Sequence, residues 1–178
     1  MKIERTREFP VAPETLAEML RSREYYETRH AWSGITDYRF DAFGEVEEGF
    51  LVRIERPLEI SKRKLPGFVS ALVPSSSTLI MELCWKRWRE PPYQGRYRFA
   101  LERVPAEVQG SMEITGGGQG ARQDIELRIH SSVPLLGGRI AGMAASGVDR
   151  VLESDYRATL RYIEECLGAS SAQGRQGP

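Results

Sequence analysis

The chain is short of almost everything that announces an enzyme. It has two cysteines, Cys84 and Cys166, and two histidines, His30 and His130, in 178 residues. The histidines fall in different elements, and neither is followed four residues later by a ligand-type partner, so a zinc site is poorly supplied. There is no G-x-S-x-G nucleophile motif. Cys84 sits between Leu83 and Trp85 in an alternating stretch and reads as ordinary strand packing. The GGGQG run at Gly116–Gly120 lacks a following Lys-Ser/Thr and opens no helix; it reads as a hairpin loop. No cofactor is expected.

Charge of one sign is also missing. Twenty-five basic residues balance 25 acidic ones, which argues against a nucleic-acid partner. No apolar run approaches the roughly 18–20 residues that span a bilayer. Leu135 to Val148 comes nearest, but Arg139 interrupts it and Asp149–Arg150 ends it. The start, MKIERTREF, is charged and has no signal-peptide apolar core. With two thiols and nothing that points to export, a reduced, cytoplasmic setting is expected.

What is present is organised around Pro134 to Leu167. From Gly138 onward this stretch contains no proline, and charges recur every three or four residues, which predicts one long amphipathic helix. At 1.5 Å per residue it would run roughly 40 Å, enough to cross a small domain. Placed at about 100° steps, one face carries Ser146, Asp149, Arg150, Glu153, Arg157, Arg161 and Glu164. The other carries Ile140, Ala141, Ala144, Gly147, Val148, Val151, Ala158, Thr159, Tyr162 and Cys166. The first half of that apolar face is built of small residues, each interior glycine costing about 1 kcal/mol of propensity against alanine. Close backbone approach or open space beside the helix must offset that cost; the Gly138/Gly142 spacing reads as close packing rather than membrane dimerisation. Asp155 falls on the apolar face.

Ahead of the helix, Lys2 to Phe9 alternates, with Ile3, Arg5, Arg7 and Phe9 in one phase. Pro13–Leu20 and Glu24–Ala31 predict two short helices, the second carrying Tyr25, Tyr26 and His30, with Trp32 just beyond. Six strands follow: Ile35–Phe43, Gly49–Leu58, Ser76–Arg89, Tyr93–Arg103, Val108–Thr115 and Arg122–Ser131. Clean alternation means antiparallel strands with one dry face. Such a face needs a cover, and only the last helix is long enough. The expectation is an α+β, helix-grip fold: a curved antiparallel sheet of about seven strands wrapped on a long C-terminal helix, with two short helices after the first strand. Residues 1–168 form one domain in this reading, and 169–178, small and polar, a disordered tail.

Three segments carry a resemblance: PVAPETLAEML at the first helix, LPGFVSALVP before a strand that ends in tryptophan, and VPLLGGRI leading into the last helix. With the element order, they make residues 1 to 167 similar to the START-like superfamily of lipid-transfer domains, polyketide cyclases and pollen allergens. Within it the chain most resembles an uncharacterised bacterial family. An acidic residue is expected soon after the GGRI motif in that family; here Ala141 and Ala144–Ala145 stand there, so no role passes to it. The resemblance implies a hydrophobic pocket between sheet and helix, not a reaction.

The expected function is binding or carriage of a lipid or polyketide-like molecule; the alternative is a cyclase or dehydratase that uses a pocket acid. The entrance would involve Tyr26, His30 and Trp32, although these also read as a satellite core. The stretch 62–73 would supply Phe68, and the sheet would supply Met81, Leu83, Tyr97, Phe99, Met112, Ile125 and Leu127. The helix would supply Ala144, Gly147, Val148, Val151, Asp155, Thr159 and Tyr162. Asp155 is either a structural ion-pair member with an arginine or the polar anchor of the pocket. Residues 62–73, a basic triplet followed by an apolar stretch, read either as a short helix packed on the sheet edge or as a lid making transient membrane contact.

Overall fold

A computed structural model describes residues 1–71, 73–118, 120–134 and 137–168. The expected tail, 169–178, lies outside the described residues. The elements in order are β1 (Lys2–Phe9), α1 (Pro13–Met19), α2 (Arg23–Trp32), β2 (Arg39–Val46) and β3 (Gly49–Glu59). A 3-10 turn (Lys62–Lys64) and the one-turn α3 (Gly67–Ser70) lead to β4 (Ser76–Arg87) and β5 (Tyr93–Leu101). β6 (Ala106–Gly117), β7 (Gly120–Ser131), α4 (Gly137–Tyr162) and a π turn (Ile163–Leu167) complete the described chain.

All seven strands form one antiparallel sheet in the order β1-β7-β6-β5-β4-β3-β2. The register aligns the dry-face residues in rows across it. One row runs Ile3, Leu127, Gly110, Tyr97, Leu83, Val52. The next runs Ile129, Val108, Phe99, Met81, Ile54. Gly110 stands mid-sheet because a Cβ there would lie 2.0 Å from the carbonyl oxygen of Glu126. No side chain fits where β6 and β7 approach so closely.

Four elements differ from their sequence signals. β2 begins at Arg39 rather than Ile35 and extends past Phe43 through Glu45 to Val46, because Glu47 and Glu48 alone make the turn into β3. β6 and β7 run to the Gly117–Gly120 pair, further than alternation shows, since glycines carry no pattern. On α4 the buried stripe is Ala141, Ala145, Leu152, Thr159 and Ile163, running from the helix into the π turn. Val151, expected to face the sheet, is 62 % exposed. The helix packs on β7 and β1 at one side of the sheet, which rotates its buried face toward Leu152 and turns Val151 outward.

α1 and α2 close one end of the grip. Pro13 occupies the first turn of α1, where its missing N–H costs nothing. The Ser22 hydroxyl caps α2 by accepting from the Tyr25 amide at 3.1 Å. Leu16, Ala17 and Tyr25 are fully buried, and with Phe9, Trp85, Tyr93, Ile114 and Ala121 they fill that end. At the other end Val69, Val73 and Ile140 form a separate small core, with Phe68 half-buried against it. Residues 65–73 therefore take the packed arrangement of the two readings above, although Leu72 lies outside the described residues.

Candidate functional site

Between the two cores the inner face is incompletely covered. Met81, Tyr97, Phe99 and Val108 are only half-buried in mid-sheet, as are Ala144, Gly147 and Val148 on α4. A Cβ added at Gly142 or Gly147 would meet nothing within 4 Å. Open space rather than close packing thus lies beside these helical glycines. Tyr97 combines accessible surface with a phenol pushed well above its usual range, first by burial and then by the charge of Asp155.

The remaining sequence-derived candidates divide. Tyr26, Leu83, Met112, Ile125, Leu127, Thr159 and Tyr162 are brought into the region but are buried in the packed core. The Tyr26 hydroxyl donates to the Leu20 carbonyl at 2.8 Å, which ties it to the helix pair. Trp32 packs on Tyr162 at 6.4 Å between centroids. Arg161 stands over the Trp32 indole at 4.1 Å. His30 stacks on Tyr38 at 4.2 Å. Phe68 is set apart in the second core, under the Arg139 guanidinium.

Asp155 is paired. Its Oδ1 accepts from Arg29 Nη2 at 2.5 Å, and Arg7 Nη1 lies 3.5 Å from Oδ2. Arg7 is itself buried and donates through Nη2 to the Leu152 carbonyl. A loop of bonds closes on the same aspartate. Arg29 Nη1 donates to the Tyr25 hydroxyl at 3.1 Å, and Tyr25 and Thr159 hydroxyls are 2.7 Å apart. Thr159 Oγ1 donates to the Asp155 carbonyl at 2.8 Å, so its single proton is used and Tyr25 is the donor in their pair. Burial alone would lower the Arg29 guanidinium, but Asp155 and then Tyr25 and Tyr26 more than offset this, and the net direction is up. Burial pushes the Tyr25 phenol up to about 12, with Arg29 opposing.

Neither arginine stood out in the sequence. The available signal was the phase of β1, which puts Arg7 on the dry side with Ile3 and Phe9. Arg29 lies in the same helix as Tyr25 and shows no mark of its own.

The wet face of the sheet carries a concavity of about 660 Å³, lined among others by Glu4, Thr6, Lys86, Arg96, Glu113 and Asp124. Arg5, Met112 and Ile125 also line its wall.

The comparisons agree on the fold. TTHA0849 from Thermus thermophilus superposes with a TM-score of 0.58 at 14 % identity, covering 96 % of this chain and 99 % of its own. A START superfamily protein from Mycobacterium smegmatis gives 0.55 at 14 % identity, covering 92 % and 97 %. Human STARD10 gives 0.52 at 14 % identity, covering 99 % of this chain and 72 % of its own. No curated protein sequence matches. The architecture is the START-like helix grip. At the level of sequence a family model matches residues 4–163, and the chain belongs to that family, described as "Protein of unknown function (DUF2505)".

Proposed function

We propose that this protein binds a hydrophobic small molecule, lipid or polyketide-like, between the inner face of the sheet and α4. The observation that carries the reading is the row Met81, Phe99 and Val108, large apolar side chains in mid-sheet that no element fully covers. Apolar area left open on a concave inner face is what a binding cavity for an apolar ligand presents. Burying it contributes about 25 cal/mol per Å². Asp155 is committed to Arg29 and Arg7. Carriage is therefore preferred to the cyclase or dehydratase reading, in which that carboxylate moves a proton.

Titration with Nile red, a neutral apolar dye, tests the reading, together with Gly147→Leu. The parent is expected to bind dye and brighten it. Gly147→Leu should lose the dye with little change in melting temperature, because the leucine enters space already empty. A parent that binds no dye, with a variant destabilised by the ~1–3 kcal/mol of an overpacked core, would overturn it.

A further inference from the structure

The inner side of the grip is more basic than the chain as a whole. The net charge is zero, yet Arg7 and Arg29 share the single carboxylate of Asp155. A third arginine stands on the same side. Arg56 follows Val52 and Ile54 in phase on β3 and pairs in register with Leu79 of β4. That places it beside the open row of Met81 and Phe99. Its neighbours on the wet face are all matched: Arg39 and Arg53 bond to Asp41 and Glu55, and Arg53 also approaches Glu82. Among the described residues, Arg56 has neither a carboxylate within 4.0 Å nor a hydrogen-bond acceptor. Burial lowers its pKa, and no acid counters that shift.

His30, at the end of α2, stacks on Tyr38 at 4.2 Å, and Tyr38 directly precedes Arg39, whose partner in register is Glu55, the neighbour of Arg56. The His30 Nδ1 is buried and has no partner at good hydrogen-bond geometry. Burial lowers its pKa most. The Tyr26 carbonyl of the same helix opposes that shift as an acceptor, and the charges of Arg29 and Arg56 add to it. A buried ring nitrogen without a well-formed hydrogen bond is costly unless a ligand completes it, and the accessible Arg56 guanidinium stands free to meet the same ligand.

We infer that the molecule bound in the grip carries an anionic, carboxylate-type head, seated on Arg56 and His30, with its apolar body along Phe99 and Met81. A carboxylate meets a guanidinium with two parallel hydrogen bonds and offers an acceptor to the imidazole. The inference rests on the proposed binding function, and the two fail in different ways.

The experiment is displacement of Nile red from the full chain by dodecanoate and, separately, by dodecanol, at neutral pH. The tails match, so only the head differs. Dodecanoate is expected to displace dye at clearly lower concentration than dodecanol. Arg56→Gln should bring dodecanoate to parity with the alcohol in a protein of unchanged melting temperature, each displacer being read against that variant's own dye affinity, and Arg56→Lys should retain part of the preference. Parity of the two displacers in the parent overturns the head-group assignment by itself, with no variant needed. A preference that survives Arg56→Gln in a folded protein also overturns it. Failure of Nile red to bind the parent overturns the binding function, and this inference with it.

Discussion

Asp155 shows how much a single side chain depends on its surroundings. On a helical wheel it is a carboxylate on an apolar face, a placement that demands a partner or neutralisation. In the folded chain it joins β1, α2 and α4 through Arg7, Arg29 and Thr159. Asp155→Asn keeps the shape and removes the charge, leaving two guanidiniums without their counterion. About a third of the aspartate side chain is exposed, at 33 %. The loss expected in denaturant unfolding is therefore on the order of 2 kcal/mol, below that of a fully buried pair. Unchanged stability would mean that Arg29 finds another acceptor. The tyrosines around the same network give a prediction in pH. Tyr25 is pushed up to about 12 from an ordinary value of 10.0, and burial raises Tyr26 and Tyr97 as well. Unfolded tyrosines release their protons near the ordinary value, whereas the folded ones hold theirs. Between pH 10 and about 12 the folded state thus binds more protons, and stability falls as pH rises. The melting temperature followed by circular dichroism should drop across that window, and Tyr25→Phe should flatten the drop. A level profile through the window would contradict the buried-phenol account.

Among the elements, α4 and the segment before β4 divide the roles. Long helical periodicity made α4 legible from its charges. The rotation that buries Leu152 and exposes Val151 was not, because it follows from the helix lying toward β7 and β1. Two adjacent apolar residues, 100° apart, cannot be ranked by pattern alone. For residues 65–73, Val69 and Val73 are buried against Ile140. Their amides should exchange no faster than those of Leu79 to Trp85 if the packing holds as a unit, and clearly faster if the segment opens as a lid. Hydrogen exchange read by mass spectrometry separates the two. Equal protection is expected, and faster exchange would return the lid reading to consideration. The basic triplet ahead of it gives a companion test: liposome flotation with anionic lipid should be unaffected by changing Lys62, Arg63 and Lys64 to glutamine together.

For the whole molecule, Tyr162 and Ile163 are the last buried residues of the described chain, with Cys166 and Leu167 half-buried after them. The sequence reading of 169–178 as a small, polar tail outside the domain predicts that a chain ending at Gly168 melts at the same temperature as the full one. A clear drop would place residues 169–178 in the packing.

Local pattern settles which stretches are strands and which are helices, that the sheet is antiparallel with one dry face, and that the last helix must cover it. Alternation and helical periodicity are written by each residue's choice between water and core, and they can be read a few residues at a time. Small residues on α4 and a carboxylate on its apolar face were legible for the same reason. The meeting of Arg7 and Arg29 on Asp155, the closing of the loop by Tyr25 through Thr159, and the unpartnered place of Arg56 on the inner face belong to the folded chain. Those outcomes depend on sheet register and on the side to which the helix leans. Both are fixed by contacts between residues far apart in the chain, which no local pattern records.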